Sequence, residues 1–179
     1  MPIDYDRTFT PIGIAVLTVS DSRTAADDTS GDILAGRIEG AGHRLVERAI
    51  VRDDSDAIAH RLEAWMADSR IDAIVATGGT GLTGRDVTPE ALEKVRRDHA
   101  GRDIPGFGEL FRWLSYKSIG TSTIQSRACA IVAAGTYIFA LPGSNGAVKD
   151  GWDGILAEQL DSRNRPCNFA ELMPRLREV

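Results

Sequence analysis

The densest set of groups able to hold an anion is Thr77-Gly78-Gly79-Thr80-Gly81, with Arg85 and Asp86 just beyond it. Glycines let the backbone turn tightly and aim several N–H groups at one point. Thr77 and Thr80 add hydroxyl donors, and Arg85 and Asp86 bring both signs of charge to one rim. The spacing matches neither the dinucleotide fingerprint GxGxxG nor the phosphate loop GxxxxGK[ST]. On the glycines alone, a tight turn with no ligand is the simpler explanation.

The flanking residues place this cluster in a fold. Ile71 to Ala76 is an apolar run of strand length, and Thr88-Pro89-Glu90 supplies a hydroxyl, a proline at the helix start and a first-turn acid. The stretch therefore predicts strand, glycine loop, helix. In an open α/β sheet ligands gather at the carboxyl ends of strands, where this loop falls.

Ile12 to Val19 is a nearly continuous apolar strand, of the kind buried on both faces of a parallel sheet, and it ends in Ser20-Asp21. Asp27 to Gly31 then opens a helix with Leu34, Ile38 and Ala41 on one face. Arg44 to Val51 reads as the next strand, with Asp53 and Asp54 in its exit loop. From Asp56 to Asp68, Ile58, Leu62, Trp65 and Met66 form one helical stripe, so Trp65 belongs to the core. Ile104 to Glu109 interrupts the pattern before an amphipathic segment carrying Phe107, Leu110, Phe111 and Leu114.

Ser115 to Ser126 is rich in hydroxyls, among them Ser115 and Ser122, which can cap turns or donate to a ligand. Two strands, Ala128 to Ala133 and Tyr137 to Leu141, follow. Pro142-Gly143-Ser144 is a second strand-end loop, leading into a helix striped by Val148, Trp152, Ile155, Leu156 and Leu160. The order predicts a three-layer α/β/α domain with a mainly parallel sheet over residues 1–179, residues 1–10 forming a flexible arm. Ser20-Asp21, Asp53, Thr77 to Gly81 and Pro142 to Ser144 all follow strands and are expected to share one pocket. His43, His60 and His99 read as surface residues.

A hydrophobic fraction of 42% and a charged fraction of 26% are ordinary for a globular domain. The net charge of −5 argues against nucleic acid as a partner but leaves room for a local anion site. No apolar run is long enough to cross a membrane, and Met1 to Thr10 lacks the apolar core of a signal peptide. Cys129 and Cys167, far apart and without CxxC spacing, suggest neither zinc nor disulfides, which fits a reducing cytoplasm.

Taken with Asp86 and Thr88-Pro89-Glu90, TGGTG resembles the signature of the molybdenum cofactor biosynthesis family that includes MogA and MoaB. The resemblance extends to Thr18-Val19-Ser20-Asp21, Asp27 to Gly31, Pro105 to Phe111, Gln125-Ser126-Arg127-Ala128 and Leu141 to Ser144. Gln159-Leu160-Asp161 and Arg165 to Phe169 resemble a bacterial branch of it.

The resemblance implies adenylyl transfer from Mg-ATP to molybdopterin. Asp86 would bind Mg2+ and align the reacting phosphates, and Asp53 would serve the same metal. It also implies assembly as a trimer or as a hexamer of paired trimers, and contact with other proteins of the pathway. The alternative is an oligomeric protein that binds molybdopterin or its precursor without adenylylating it. Arg85, Arg112, Arg127 and Lys149 are candidates for offsetting substrate charge. Many relatives carry proline where this chain has Asn145, which tolerates the turn without fixing its backbone.

Overall fold

A computed structural model describes residues 3–176. Six strands form one sheet: β1 (Gly13–Val19), β2 (Arg44–Val51), β3 (Ala73–Thr77), β4 (Arg102–Asp103), β5 (Cys129–Ala133) and β6 (Thr136–Leu141), in the order β2-β1-β3-β6-β5-β4. β2, β1, β3 and β6 run parallel, while β5 is antiparallel to β6 and β4 to β5. The sheet is thus mainly parallel, with a hairpin that turns through Ala134 and Gly135, both at positive φ.

Because side chains alternate along each strand, the sheet buries two cores. Ile14 and Val16 meet Leu34 and Ile38 of α1 (Thr29–Gly40), Phe107 and Phe111 of α4 (Pro105–Ile119) and Val148 of α5 (Asn145–Gly151). On the other face Ala15, Leu17 and Val19 meet Ile58, Leu62 and Trp65 of α2 (Ser55–Met66) and Leu92 and Val95 of α3 (Thr88–Asp98). That is the expected three-layer arrangement, with Trp65 in the core. The stripe from Trp152 to Leu156 continues α5 as a π turn that buries Trp152, Ile155 and Leu156.

Several local expectations need correction. Ile104 to Glu109 does not interrupt the chain: Pro105 occupies the start of α4, where its missing N–H costs no hydrogen bond. His43 is buried, not on the surface; it accepts a long hydrogen bond from the Ile12 N–H on Nδ1 and packs against Phe9, and burial pushes its pKa down. His60 and His99 are exposed.

Within the segment expected as a flexible arm, Ile3 bridges Asn164, the Asp4 N–H donates to the Arg163 carbonyl, Arg7 pairs with Glu171, and the Thr10 N–H donates to Ser162 Oγ. Residues 1 and 2 lie outside the described region.

The glycine turn is closely packed against the end of β1. Gly78 has φ +109°, and a Cβ there would lie 2.2 Å from the Val19 carbonyl oxygen. Gly36, in mid-helix, has nothing within 4 Å of a Cβ. Gly78→Ala is therefore expected to lower stability by about 2 kcal/mol or more, from strain plus the backbone clash. Gly36→Ala should raise it by about 0.5–1 kcal/mol. Urea denaturation of both variants checks the pair; a Gly78→Ala protein as stable as the parent would contradict this account of the turn.

Candidate functional site

The connection from β1 leads outward to β2, while the chain leaving β3 turns the other way, towards β6, β5 and β4. The carboxyl ends of β1 and β3 therefore flank the crevice where open α/β sheets bind ligands. Ser20-Asp21 and Gly78 to Gly81 are the residues that leave those two ends.

Backbone contacts fix the loops to one another. The Gly78 N–H donates to the Leu141 carbonyl, and the Gly78 carbonyl accepts from Thr88 Oγ1 at 2.8 Å. Thr77 Oγ1 donates to the Pro142 carbonyl at 3.2 Å, and a Cβ on Gly143 would lie 3.3 Å from the Gly78 Cα. Thr77 is fully buried, so its hydroxyl ties two loops together instead of facing a ligand. The Gly78 N–H, expected to face an anion, is likewise spent inside the fold. Gly79, at φ +64°, passes so close to Asp53 that a Cβ would lie 3.2 Å from Oδ1.

That approach separates Asp53 from its neighbour. Asp54 caps α2, accepting from the Ala57 N–H at 2.8 Å. Asp53 carries no such duty. Burial pushes its pKa up, and the charge of Asp86 pushes it the same way. Asp86 lies over Gly81 and accepts from the Thr83 hydroxyl and the Thr83 N–H. Those bonds, with Gly81 and Arg127 adding to them, hold its carboxyl below the usual range. Two carboxylates from different loops thus feel each other's charge.

Such a pair suits magnesium, which takes one or two protein carboxylates and fills its shell with water and phosphate oxygens. Among the described residues no group of three or more His, Cys, Asp or Glu gathers as a metal cage.

Arg127 braces this region. It donates to the Gly81 and Asp86 carbonyls and pairs with Glu90, and its own N–H donates to the Thr80 carbonyl at 2.8 Å. It is a strut more than a free cation. Arg112 is similarly engaged with the Ser126 and Ala128 carbonyls, and Arg85 pairs with Asp21. Lys149 lines a separate shallow cleft with Lys117.

Two further clefts open at this end. The first, of about 360 Å³, is walled by Thr80, Gly81, Ser115, Ser122, Pro142 and Ser144, joined by Ser118, Gln125, Ser126 and Asp150. Ser115 is buried and its Oγ has no partner among the described residues. An orphaned buried hydroxyl lining a cleft is the mark of a position completed by something outside the chain. Ser144 caps α5, accepting from the Ala147 N–H. The second cleft, of about 730 Å³, takes Ser20 and Asp21 with Arg23, Arg48 and Arg52.

The expected single pocket is therefore two clefts, with the glycine turn and the two acids beside them. Asp53, Asp86, Gly78 and Gly79 wall neither cleft; Gly143 walls neither but accepts from Arg23 Nη2 at 3.3 Å. Sequence reasoning missed Arg23, Arg48 and Arg52. Their only signal was position, next to strand ends.

The fold and this end of the sheet define a doubly wound α/β ligand-binding domain with paired carboxylates at its switch point. A family model described as "Probable molybdopterin binding domain" matches residues 15–162, and the chain belongs to that molybdenum cofactor biosynthesis family. It is 50% identical over 161 residues to "Molybdenum cofactor biosynthesis protein B" of Escherichia coli (strain K12), covering 90% of this chain and 92% of that protein. The protein of the same name from Bacillus subtilis (strain 168) is 42% identical over 146 residues, covering 81% and 84%.

A solved structure of a "Molybdenum cofactor biosynthesis protein B" superposes with a TM-score of 0.84 at 32% identity, covering 97% of this chain and 100% of that one. The "tungsten cofactor synthesizing protein MoaB from Pyrococcus furiosus" also superposes, with a TM-score of 0.73 at 29% identity, covering 94% and 98%. The chain has a role in molybdenum cofactor biosynthesis.

The raised pKa of Asp53 has a consequence for stability. Its charged form is the less favourable one in the folded state, so folding loses stability as pH rises through the window above the unfolded value near 3.9. The deficit is complete at neutral pH. Asp53→Asn should therefore raise the melting temperature at pH 7, by about 1–3 °C, and the gain should shrink as pH approaches 4. Thermal melts at both pH values check this; a lower melting temperature at pH 7 would show that Asp53 supports the fold.

Proposed function

We propose that this chain binds molybdopterin in the hydroxyl-lined cleft and adenylylates it with Mg-ATP at Asp53 and Asp86. The observation that supports this most directly is the carboxylate pair. Two acids raised on separate loops and set where they repel each other are poorly arranged for stability alone, and well arranged to meet a cation and phosphates. Mg2+ bound there would neutralise phosphate charge and orient the reacting groups.

The reaction asks little covalent work of the protein. An oxygen of the pterin phosphate bonds to the α-phosphorus of ATP while the bond from that phosphorus to the bridging oxygen breaks, and its electron pair leaves on pyrophosphate. The protein's part is alignment and fixed electrostatics. In the first cleft Ser115, Ser122, Ser126 and Gln125 offer donors and acceptors to a polar ring system. Thr80, Gly81, Pro142 and Ser144 form one wall of that cleft, Gly81 against Asp86, and Gly78, Thr77 and Gly143 hold that wall in place. Arg127 keeps the Asp86 backbone still.

Asp86→Asn should lower adenylyl transfer by more than about tenfold, roughly 1.4 kcal/mol of barrier, with the melting temperature little changed. Asp53→Asn should act in the same direction, and Asp54→Asn should affect the helix cap more than the rate. Labelled ATP with purified pterin provides the assay. Pterin binding without any transfer by the parent protein would make it a carrier, which is the competing reading.

We also propose that the chain works as a homo-oligomer, trimer or hexamer, in the cytoplasm and alongside other proteins of the pathway. Among the described residues no helix is long and apolar enough to cross a membrane. Leu110, Trp113, Tyr116 and Ile119 of α4 and nearby Ile124 leave large apolar surface exposed, as interaction surfaces do, and Ile119 also lines the first cleft. Sedimentation at low micromolar concentration should give a mass well above 19.3 kDa, and Trp113→Glu should lower it. A parent protein sedimenting only as a single chain would remove this part of the reading.

A further inference from the structure

The second cleft has a different chemistry from the first. Three guanidinium groups, from Arg23, Arg48 and Arg52, share its wall with the hydroxyl-bearing Ser20 and Thr24. Two of them are set in place by one buried carboxylate. Asp28, only 2% exposed, lies 3.3 Å from Arg48 Nη2 and 3.6 Å from Arg23 Nη1. It also accepts from Thr18 Oγ1 at 2.7 Å and from the Gly31 N–H at 3.0 Å, so it cannot swing away.

Arg23 is held further by Ser30 Oγ at 2.9 Å and by the Gly143 carbonyl. Arg52 is exposed and forms no ion pair among the described residues. A chain of net charge −5 thus concentrates arginine in one recess, with two of the three side chains fixed in advance. Arg23 and Arg48 spend their terminal nitrogens on Asp28, Asp32, Ser30 and Gly143 and so offer the recess fixed positive charge, while the unpaired Arg52 guanidinium is the fork that can meet phosphate oxygens.

The recess also has the right neighbours. Asp21, in its wall, accepts from the Asp53 N–H at 3.4 Å. Arg23 reaches the Gly143 carbonyl, between Pro142 and Ser144 of the first cleft. A phosphate chain seated among the arginines would lie next to Asp53 on one side and to the first cleft's loop on the other.

We infer that the Arg23–Arg48–Arg52 cleft seats the β- and γ-phosphates of the nucleotide, and hence the pyrophosphate that departs. This rests on the adenylyl-transfer reading and divides the two substrates between the two clefts. As the bond at the α-phosphorus breaks, negative charge grows on the departing pyrophosphate, and fixed cations there favour the step without rearranging. Asp28 is a positioning residue: it touches no substrate and acts by orienting Arg23 and Arg48.

The test is isothermal titration of the full-length chain at low salt with sodium tripolyphosphate, with Mg-ATP and with adenosine. The parent should bind tripolyphosphate and Mg-ATP. Arg52→Gln should weaken both by roughly tenfold, the scale of one hydrogen bond to a charged group, and leave adenosine binding unchanged. Arg102→Gln, on the opposite edge strand, makes the same change in net charge and should weaken neither. Because Arg52 makes no ion pair, its loss should leave the melting temperature unchanged.

Absence of tripolyphosphate binding by the parent would overturn the inference. So would equal weakening by Arg52→Gln and Arg102→Gln, since the effect would then be bulk charge. Loss of tripolyphosphate binding with Mg-ATP binding intact would assign the recess to a free inorganic anion and overturn it as well. Arginine-dependent binding of both ligands without any adenylyl transfer would uphold the seat and reject the activity. Transfer unaffected by Arg52→Gln would do the reverse.

Discussion

The structure of the candidate site depends on how closely the backbone passes at Gly78. Its N–H and its carbonyl are both consumed within the protein, by Leu141 and by Thr88, and no side chain fits between it and the Val19 carbonyl. Strands β1, β3 and β6 are thereby pinned at their carboxyl ends to within a single turn. The acids inherit their geometry from this point. Asp53 approaches over Gly79, and Asp86 follows a loop that Arg127 braces from the connection leading into β5. A hydroxyl-lined recess and an arginine-lined one then open beside a turn that is already fixed.

Most of the architecture could be read from residue patterns, because apolar runs of strand length and helical stripes report burial directly. Ile12 to Val19, the stripe through Trp65 and the start at Thr88-Pro89 all lie where the pattern puts them. The errors occur where local chemistry has two uses. Pro105 breaks a helix in most settings and begins one here. His43 is polar, yet Phe9 and Trp152 enclose it, and those contacts join residues far apart in sequence. The N-terminal segment looks polar and free, but its partners lie near Asn164 and Glu171.

The site was legible by location more than by role. Strand-end loops pointed to Ser20, Asp53, Gly79 and Ser144, and these residues do lie at one end of the sheet. No pattern could say that Thr77 and the Gly78 N–H serve the fold, since both look like ligand donors until Pro142 and Leu141 are beside them. Nor could it distinguish Asp53 from Asp54, adjacent acids of which one caps a helix. Arginines are the hardest case, because a guanidinium can reach far from its own backbone. Arg127 turned out to brace a loop and Arg48 to line a cleft.

The sheet's two borders carry a separate consequence. A border strand offers a row of unpaired N–H and C=O groups on which another chain can add itself, and long, flat, apolar borders start aggregates. Here β4 is only two residues long, too short to serve as a template. β2 is longer, but Arg44, Glu47 and Arg48 stud it with charge. Such a sheet offers an incoming strand little purchase, so the protein should tolerate the crowding of a cell without joining border to border.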